Sequence, residues 1–211
     1  MQTNQIRVNT QSSIRISGSK TIYSDPYLIE EASHDADVIC ITHDHFDHLD
    51  ADSINNVKRD DTVFYIPTGI ADQLKAIVGD ADVRSVKPGE SYDGDGYSIA
   101  TVPAYNTNKD FHPKAAGFVG YLITLDGITY YAAGDTDALD ELRDVKCDIA
   151  MVPIGGTYTM TVEEAAPLVN AIAPKIAIPI HYGSIVGKKE DADTFKNLID
   201  SSIEVVTKLS F

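Results

Sequence analysis

The chain has 211 residues, of which 17 are basic and 32 are acidic, so its formal net charge at pH 7 is −15. Hydrophobic residues make up 43% and charged residues 23%, which are proportions of a globular chain rather than a disordered or fibrous one. This acidity argues against nucleic acid or an anionic membrane as the main partner, because binding phosphate requires clustered Lys and Arg.

No linker, repeat or low-complexity tract divides the chain, so we expect a single domain over residues 1–211. Residues 1–5 are polar and indicate no signal peptide, and no apolar stretch reaches the roughly 18 residues of a membrane span. Cys40 and Cys147 lie far apart beside apolar runs. We therefore expect free thiols and a cytoplasmic protein.

The first half is predicted to be rich in strands. Short apolar or β-branched runs between turn residues predict strands over residues 5–9, 13–17, 21–24, 37–42 and 63–66. Residues 68–78 have helical spacing and end at Gly79, which predicts a helix.

The second half repeats this style. Strands are predicted over residues 118–125, 128–133, 148–154, 175–180 and 203–206, and the first two flank the hairpin signal Asp126-Gly127. Helices are predicted over residues 161–173, with a capping box of Thr161 and Glu164, and over residues 191–201. This order favours a layered α/β sandwich with its sheets inside and its helices outside.

Three of the six histidines fall in one short segment, His43-Asp44-His45-Phe46-Asp47-His48. Imidazole and carboxylate are good ligands for first-row metals, whereas turn chemistry gives no reason for three adjacent imidazoles. The His43/His45 pair can reach one ion, and the Asp47-His48 pair can reach a second. His34 has no such company, so we expect it on the surface.

Several predicted strands stop at a candidate ligand. These residues are Asp25, His43, Asp135 and His181. Active sites of layered α/β folds gather at strand ends, where loops converge while the sheet fixes the geometry. Gly134 before Asp135 permits a close approach of the backbone. The sequence therefore predicts one site built from these four ends.

The motifs His43-x-His45-x-Asp47-His48, Gly134-Asp135-Thr136 and His181 resemble the metallo-β-lactamase superfamily over nearly the whole chain. The surrounding phrases are similar to a compact branch of metal-dependent hydrolases, akin to ascorbate-phosphate lactonases and N-acyl phospholipid-cleaving phosphodiesterases. The resemblance implies a four-layer αββα sandwich with two divalent metal ions at one edge, zinc first, with manganese or iron as alternatives.

Ligands follow from the same resemblance. It implies His43 and His45 on the first metal and Asp47, His48 and His181 on the second. Asp135 would bridge the two metals, and Asp25 would lie behind a ligand and orient it or accept its N–H.

One departure concerns the first metal. The family usually supplies a third histidine in a phrase like Pro-x-His, and here the phrase is Pro103-Ala104-Tyr105-Asn106. Asn106 offers only a neutral amide oxygen, which suits harder ions better than zinc. His112 follows six residues later and is the other candidate. If neither residue binds, the protein holds one ion.

The implied chemistry is hydrolysis of an ester, lactone, amide or phosphodiester of a small molecule by a hydroxide held between the metals. Asp47 would hold the nucleophile and move its proton. Lys109 and Lys114 could meet an anionic group of the substrate, and Tyr158 and Tyr182 could line its pocket. Gly155-Gly156-Thr157 could offer backbone N–H donors.

Three other functions use the same fold or site. An iron oxidoreductase would contain iron and consume oxygen, and a nuclease would degrade RNA or DNA, although the acidic charge speaks against a nuclease. A non-catalytic metal-binding protein is suggested by the missing third histidine, and it would show no turnover that a chelator abolishes.

Overall fold

A computed structural model of the chain describes residues 3–210. Met1, Gln2 and Phe211 lie outside this range. The first two begin the polar segment, residues 1–5, from which we predict that there is no signal peptide. Within residues 3–210, thirteen strands form two mixed sheets with helices packed on them, so the predicted α/β sandwich is confirmed.

The first sheet contains six strands in chain order. They are β1 (Ile6–Val8), β2 (Ile14–Ser17), β3 (Thr21–Ser24), β4 (Ala36–Cys40), β5 (Lys58–Pro67) and β6 (Asp82–Val86). The strands β1 to β3 pair antiparallel, and β3 to β6 pair parallel. The parallel strands β3 and β4 therefore end at the same edge of this sheet.

The second sheet contains seven strands, again in chain order. They are β7 (Ser91–Gly94), β8 (Tyr97–Pro103), β9 (Val119–Leu125), β10 (Ile128–Ala132), β11 (Ile149–Pro153), β12 (Ile176–Ile180) and β13 (Glu204–Val205). The strands β7 to β10 pair antiparallel and β10 to β13 pair parallel. The parallel strands β10 and β12 thus deliver their following residues to one edge.

The hairpin between β9 and β10 turns at Asp126 and Gly127, whose φ angles are 51° and 76°. Two positive φ angles in a two-residue loop match the twist of the flanking strands. The predicted hairpin is therefore confirmed.

Four helices lie in the described part of the chain: α1 (Ala51–Val57), α2 (Ala71–Val78), α3 (Val162–Ile172) and α4 (Asp191–Leu198). Ile54 of α1 and Leu74 of α2 are buried in a cluster with Ile39 and Phe64 of the first sheet. The helix α3 packs against α4 and contacts β11 of the second sheet.

The main hydrophobic core lies between the two sheets. It joins apolar side chains of the first sheet, such as Ile16 and Val38, to those of the second, such as Ile123 and Met151. Every residue of β11 and β12 is buried, as expected for central parallel strands covered on both faces. This packing fixes the two sheet edges on which the site depends.

Several elements differ from the sequence expectations. The strand predicted over residues 63–66 extends over Lys58–Pro67, and its charged first half gave no apolar signal. The predicted helix at residues 68–78 starts as a 3-10 turn over Thr68–Ile70. The helix α1 and the strands β6 to β8 were not predicted, since polar residues dominate α1 and the edge strand β7.

Within residues 3–210, no helix is both long and apolar enough to cross a bilayer. Cys40 and Cys147 are free thiols, as predicted, and Cys40 is fully buried. His34 is exposed, also as predicted.

The capping box at α3 gives a first testable prediction. The Thr161 side chain accepts a hydrogen bond from the Glu164 backbone N–H, and the Glu164 carboxylate accepts one from the Thr161 N–H at 2.8 Å. We expect Thr161→Ala to lower the free energy of unfolding by about 1 kcal/mol, measured by urea denaturation. Thr207→Ala, at an exposed position, is the matched control. Equal stabilities of the two variants would contradict this assignment.

Candidate metal centre

Four strands of the two sheets end at one place. Asp25 follows β3 directly, His181 follows β12 directly, and His43 and Asp135 each lie three residues beyond β4 and β10. The structure brings these residues into contact, because Asp25 bonds to His48 and Asp135 lies against both His48 and His181. The convergence predicted from strand ends is therefore present in the fold.

Three histidines form one side of the cluster. Ligand atoms of His43, His45 and His112 all lie within 4.8 Å of one another. His112 Nε2 is 3.2 Å from His45 Nδ1, and the rings of this pair are 4.7 Å apart. The chain thus brings His112 to the position that a third histidine would occupy beside His43 and His45.

A second group contains Asp47, His48 and His181, whose ligand atoms also lie within 4.8 Å of one another. Asp47 Oδ2 is 3.3 Å from His181 Nε2 and 3.7 Å from His48 Nε2. This group is the one that the resemblance assigns to a second metal.

Asp135 lies between the two groups. Its Oδ1 is 3.4 Å from His48 Nε2, and its Oδ2 is 3.4 Å from His181 Nε2 and 3.6 Å from His112 Nε2. A carboxylate in contact with histidines of both groups has the geometry required of a bridging ligand.

Asp25 lies behind His48. Its Oδ2 is 2.8 Å from His48 Nδ1, and it also accepts hydrogen bonds from the Thr42 hydroxyl at 2.6 Å and, through Oδ1, from the Thr42 N–H at 2.8 Å. The Thr42 hydroxyl is in turn 3.0 Å from His43 Nδ1. The Asp25–Thr42 pair therefore orients one histidine of each group, as carboxylates behind metal-binding histidines do.

Asn106 holds His112 in the same way. Its Oδ1 accepts the His112 backbone N–H at 3.1 Å and lies 3.0 Å from His112 Nδ1. Its Nδ2 donates to Asp137 Oδ1 and to the Tyr158 carbonyl, each at 3.0 Å. Both ends of the Asn106 amide are thus engaged behind His112, away from the cluster.

Two glycines permit the close approach of the segments. Gly134 has φ +65°, and a Cβ there would lie 3.0 Å from the Thr42 side chain. A Cβ on Gly155 would lie 2.4 Å from the His181 carbonyl oxygen. Larger residues would push Asp135 and His181 out of position.

The cluster contains buried polar atoms that lack a partner. Within residues 3–210, His43 Nε2, His48 Nε2, His181 Nε2 and Asp135 Oδ1 are buried without a hydrogen bond. Such groups are costly unless something satisfies them, and an ion does so for unprotonated imidazole and carboxylate. The donor set therefore fits divalent metal.

The side chains of the cluster differ in their pKa shifts. Burial lowers the pKa of His43 well below its usual value, helped by repulsion from His48 and His112. Burial also lowers the pKa of His112 to about 4, against the attraction of Asp135. Both rings are thus neutral at pH 7 and ready to bind metal.

His48 and Asp47 behave oppositely. Burial disfavours the charged form of His48, but Asp135 and Asp25 outweigh it and raise its pKa to about 9. Burial also disfavours ionised Asp47, but the close approach of His181 Nε2, 3.3 Å from Asp47 Oδ2, and the charge of His48 lower its pKa to about 2. His48 therefore carries a proton at pH 7 until a metal displaces it.

The residues predicted to contact substrate differ in their exposure to solvent. Lys114 is exposed and contacts the Tyr105 hydroxyl at 3.1 Å, whereas Tyr182 is completely buried. Tyr158 is half-buried, and its ring packs edge-on to Phe111 at 4.6 Å.

The proposed backbone donors after β11 are already in use. The Gly156 N–H donates to the Met160 carbonyl and the Thr157 N–H donates to the Gly155 carbonyl, each at 3.0 Å. Two of the three residues expected to offer backbone donors, Gly156 and Thr157, therefore use their N–H groups within a tight turn.

Three supporting residues were missed from the sequence. Besides Thr42, Asp137 anchors the loop of His112 by accepting the Thr107 N–H at 2.7 Å. Gln11 is buried with φ 47°, and its carbonyl accepts the His181 N–H at 3.1 Å. The only signal for Asp137 was its place two residues after Asp135, and Gln11 gave none.

Known proteins resemble this chain over most of its length. Residues 5–181 match the family model described as the beta-lactamase superfamily domain. A UPF0173 metal-dependent hydrolase of Thermococcus kodakarensis is 32% identical over 203 residues, which cover 90% of this chain and 90% of that protein. A protein of the same description from Thermococcus onnurineus is 32% identical over 218 residues, covering 96% and 95%.

Solved structures resemble the chain in fold as well. A crystal structure from Parabacteroides distasonis, described as that of a metal-dependent hydrolase, is 32% identical to this chain, with a TM-score of 0.79. The match covers 97% of this chain and 93% of that one. Igni18, a metallo hydrolase from Ignicoccus hospitalis, is 24% identical with a TM-score of 0.77, covering 96% and 93%. The second likeness bears on the fold alone.

The raised pKa of His48 predicts how metal affinity depends on pH. Below pH 9 a metal must displace the His48 proton, so affinity should rise with pH up to about 9, by up to about tenfold per unit for this single proton. Competition with a chromophoric chelator at pH 6 to 9 measures the rise. Asp25→Asn removes one cause of the high pKa and should shift the rise to lower pH. Affinity that is flat over this range would contradict the prediction.

Proposed function

Since this chain belongs to the UPF0173 metal-dependent hydrolases of the beta-lactamase superfamily, we propose that it holds two divalent ions, zinc in the first place, and hydrolyses a small molecule. The scissile group is an ester, lactone, amide or phosphodiester. The observation that carries the proposal is the set of buried, unpartnered atoms of His43, His48, His181 and Asp135 that face one another at the strand ends.

The ligand roles follow the two groups described above. His43, His45 and His112 would hold one ion, Asp47, His48 and His181 the other, and Asp135 both. Asn106 would position His112 rather than bind metal, because its amide oxygen faces His112. Ions held there would supply the Lewis acidity that activates water and polarises the substrate oxygen.

Asp47 is the proposed proton acceptor. Its pKa of about 2 keeps the carboxylate ionised at neutral pH, and it is buried beside His181 and His48 at the meeting point of the second group. An ionised carboxylate there can orient a water by accepting its hydrogen bond and can take its proton as the water attacks. Asp25 and Thr42 hold the histidines in place during this step.

Two features bear on the cellular compartment and on the class of substrate. The free, buried thiol of Cys40 is consistent with a reducing compartment, and we place the protein in the cytoplasm on that basis. The acidic overall charge favours a small molecule over nucleic acid as substrate.

The assignment of His112 is tested by counting bound metal. We expect His112→Ala to lose one of two zinc ions per chain after dialysis, because the first group would keep only His43 and His45 among its histidines. Asn106→Ala should retain zinc but bind it about 10- to 100-fold more weakly, as for other partners behind a ligand. His34→Ala, at an exposed histidine, is the control. Unchanged zinc content and affinity in both site variants would overturn the assignment.

The hydrolase function is tested on a panel of ester, lactone, thioester and phosphodiester substrates with zinc, manganese or iron. A chelator should abolish turnover, and Asp47→Asn should lower kcat about 10²- to 10⁴-fold through loss of the proton acceptor. Asp44→Asn, in the same loop but hydrogen-bonded to Gln73, should keep its activity. Oxygen uptake by an iron form without hydrolysis, or metal binding without turnover, would contradict the proposal.

A further inference from the structure

Most of the large exposed apolar side chains belong to the loops that follow the site strands or carry the site histidines. Among residues 3–210 five large apolar side chains are exposed, and four of them belong to loops that carry site residues. We call these four the apolar rim: Leu28 at 60% exposure, Phe46 at 67%, Phe111 at 47% and Ile185 at 44%. The fifth, Leu198, ends α4. Exposed apolar side chains grouped in this way mark a binding surface more often than scattered ones do.

Two residues of the apolar rim, Phe46 and Phe111, adjoin the solvent-facing side of the cluster. His43 and His48 are buried, whereas His45 is half-buried, so the cluster opens to solvent on the His45 side. Phe46 follows His45, and Phe111 precedes His112, and the rings of those two histidines are 4.7 Å apart. The two phenylalanines are therefore attached to adjoining residues of the cluster.

Each phenylalanine is supported by a tyrosine. The Tyr27 ring lies edge-on to Phe46 with centroids 6.0 Å apart, and Tyr158 lies edge-on to Phe111 at 4.6 Å. Aromatic pairs of this geometry are favourable and restrict ring motion. Each of these two exposed phenylalanines is thus restrained by one aromatic neighbour.

The nearby cations are already paired. Lys109 Nζ lies 2.6 Å from Asp137, and only 14% of its side chain is exposed. Lys114 contacts the Tyr105 hydroxyl and lies 3.7 Å from Glu141. The loop therefore presents little uncompensated positive charge, and its exposed surface suits a neutral apolar group better than an anionic one.

We propose that the apolar rim binds the hydrocarbon part of a neutral acyl ester whose carbonyl is hydrolysed at the metal site, an inference that rests on the proposed hydrolase function. In that reaction water adds to the carbonyl carbon, the ester C–O bond breaks, and the carboxylic acid and the alcohol leave. The acyl chain extends out of the site across Phe46 and Phe111.

The zinc-loaded full chain tests this with p-nitrophenyl acetate, butyrate, hexanoate and octanoate. We expect kcat/KM to rise about two- to fourfold for each methylene that contacts the apolar rim. Phe46→Ser and Phe111→Ser should reduce this increment, while Leu198→Ser, at an exposed apolar position outside the apolar rim, should keep it. A flat series, or the same increment in all three variants, overturns the inference.

A binding series separates this inference from the proposed function. Alkyl hydroxamates of the same chain lengths are titrated calorimetrically into the zinc-loaded protein, without any turnover. Affinity should rise with chain length in the wild type and Leu198→Ser and level off in Phe46→Ser. Rising affinity without chelator-sensitive hydrolysis would contradict the function but not the rim. The inference is overturned if affinity does not change with chain length. If sedimentation then shows a dimer that Phe46→Ser dissociates, a second copy of the chain covers the apolar rim.

Discussion

The structure depends on holding imidazole and carboxylate groups together in a largely buried cluster. Left alone, such groups either repel as charges or remain buried without partners, and both cost free energy. The paired sheets overcome this by fixing the ends of β3, β4, β10 and β12 at one edge, with the hydrophobic core between the sheets behind them. An ion between the groups would convert this cost into binding free energy.

Side chains that lie behind the candidate ligands fix the orientation of the histidine rings. Asp25 orients His48, Thr42 contacts His43, and Asn106 holds His112. Asp137 in turn binds Asn106 and the adjoining backbone. These contacts explain how His112 can stand in for a histidine directly after β8. The Asn106 amide and the Asp137 carboxylate together hold the loop that carries His112.

Much of this arrangement was predictable from the sequence, for reasons that are local. The histidine segment, the Asp126-Gly127 hairpin and the Thr161 capping box each depend on neighbouring residues, and β12 is a nearly continuous apolar run. What was missed depends on tertiary contacts. The strand β7 and the helix α1 are polar, so their own residues give little signal, and β7 forms by pairing with β8. Gln11 meets His181 only after the two sheets pack. The choice between Asn106 and His112 likewise needed their spatial relation.

The positions of bound metal ions test the proposed site most directly. Diffraction from crystals of the zinc-loaded protein, recorded on both sides of the zinc absorption edge, locates each ion without reference to activity. We expect two anomalous peaks, one among His43, His45 and His112 and the other among Asp47, His48 and His181, with Asp135 between them. Zinc peaks elsewhere on the chain, or no peak among these side chains, would contradict the central claim.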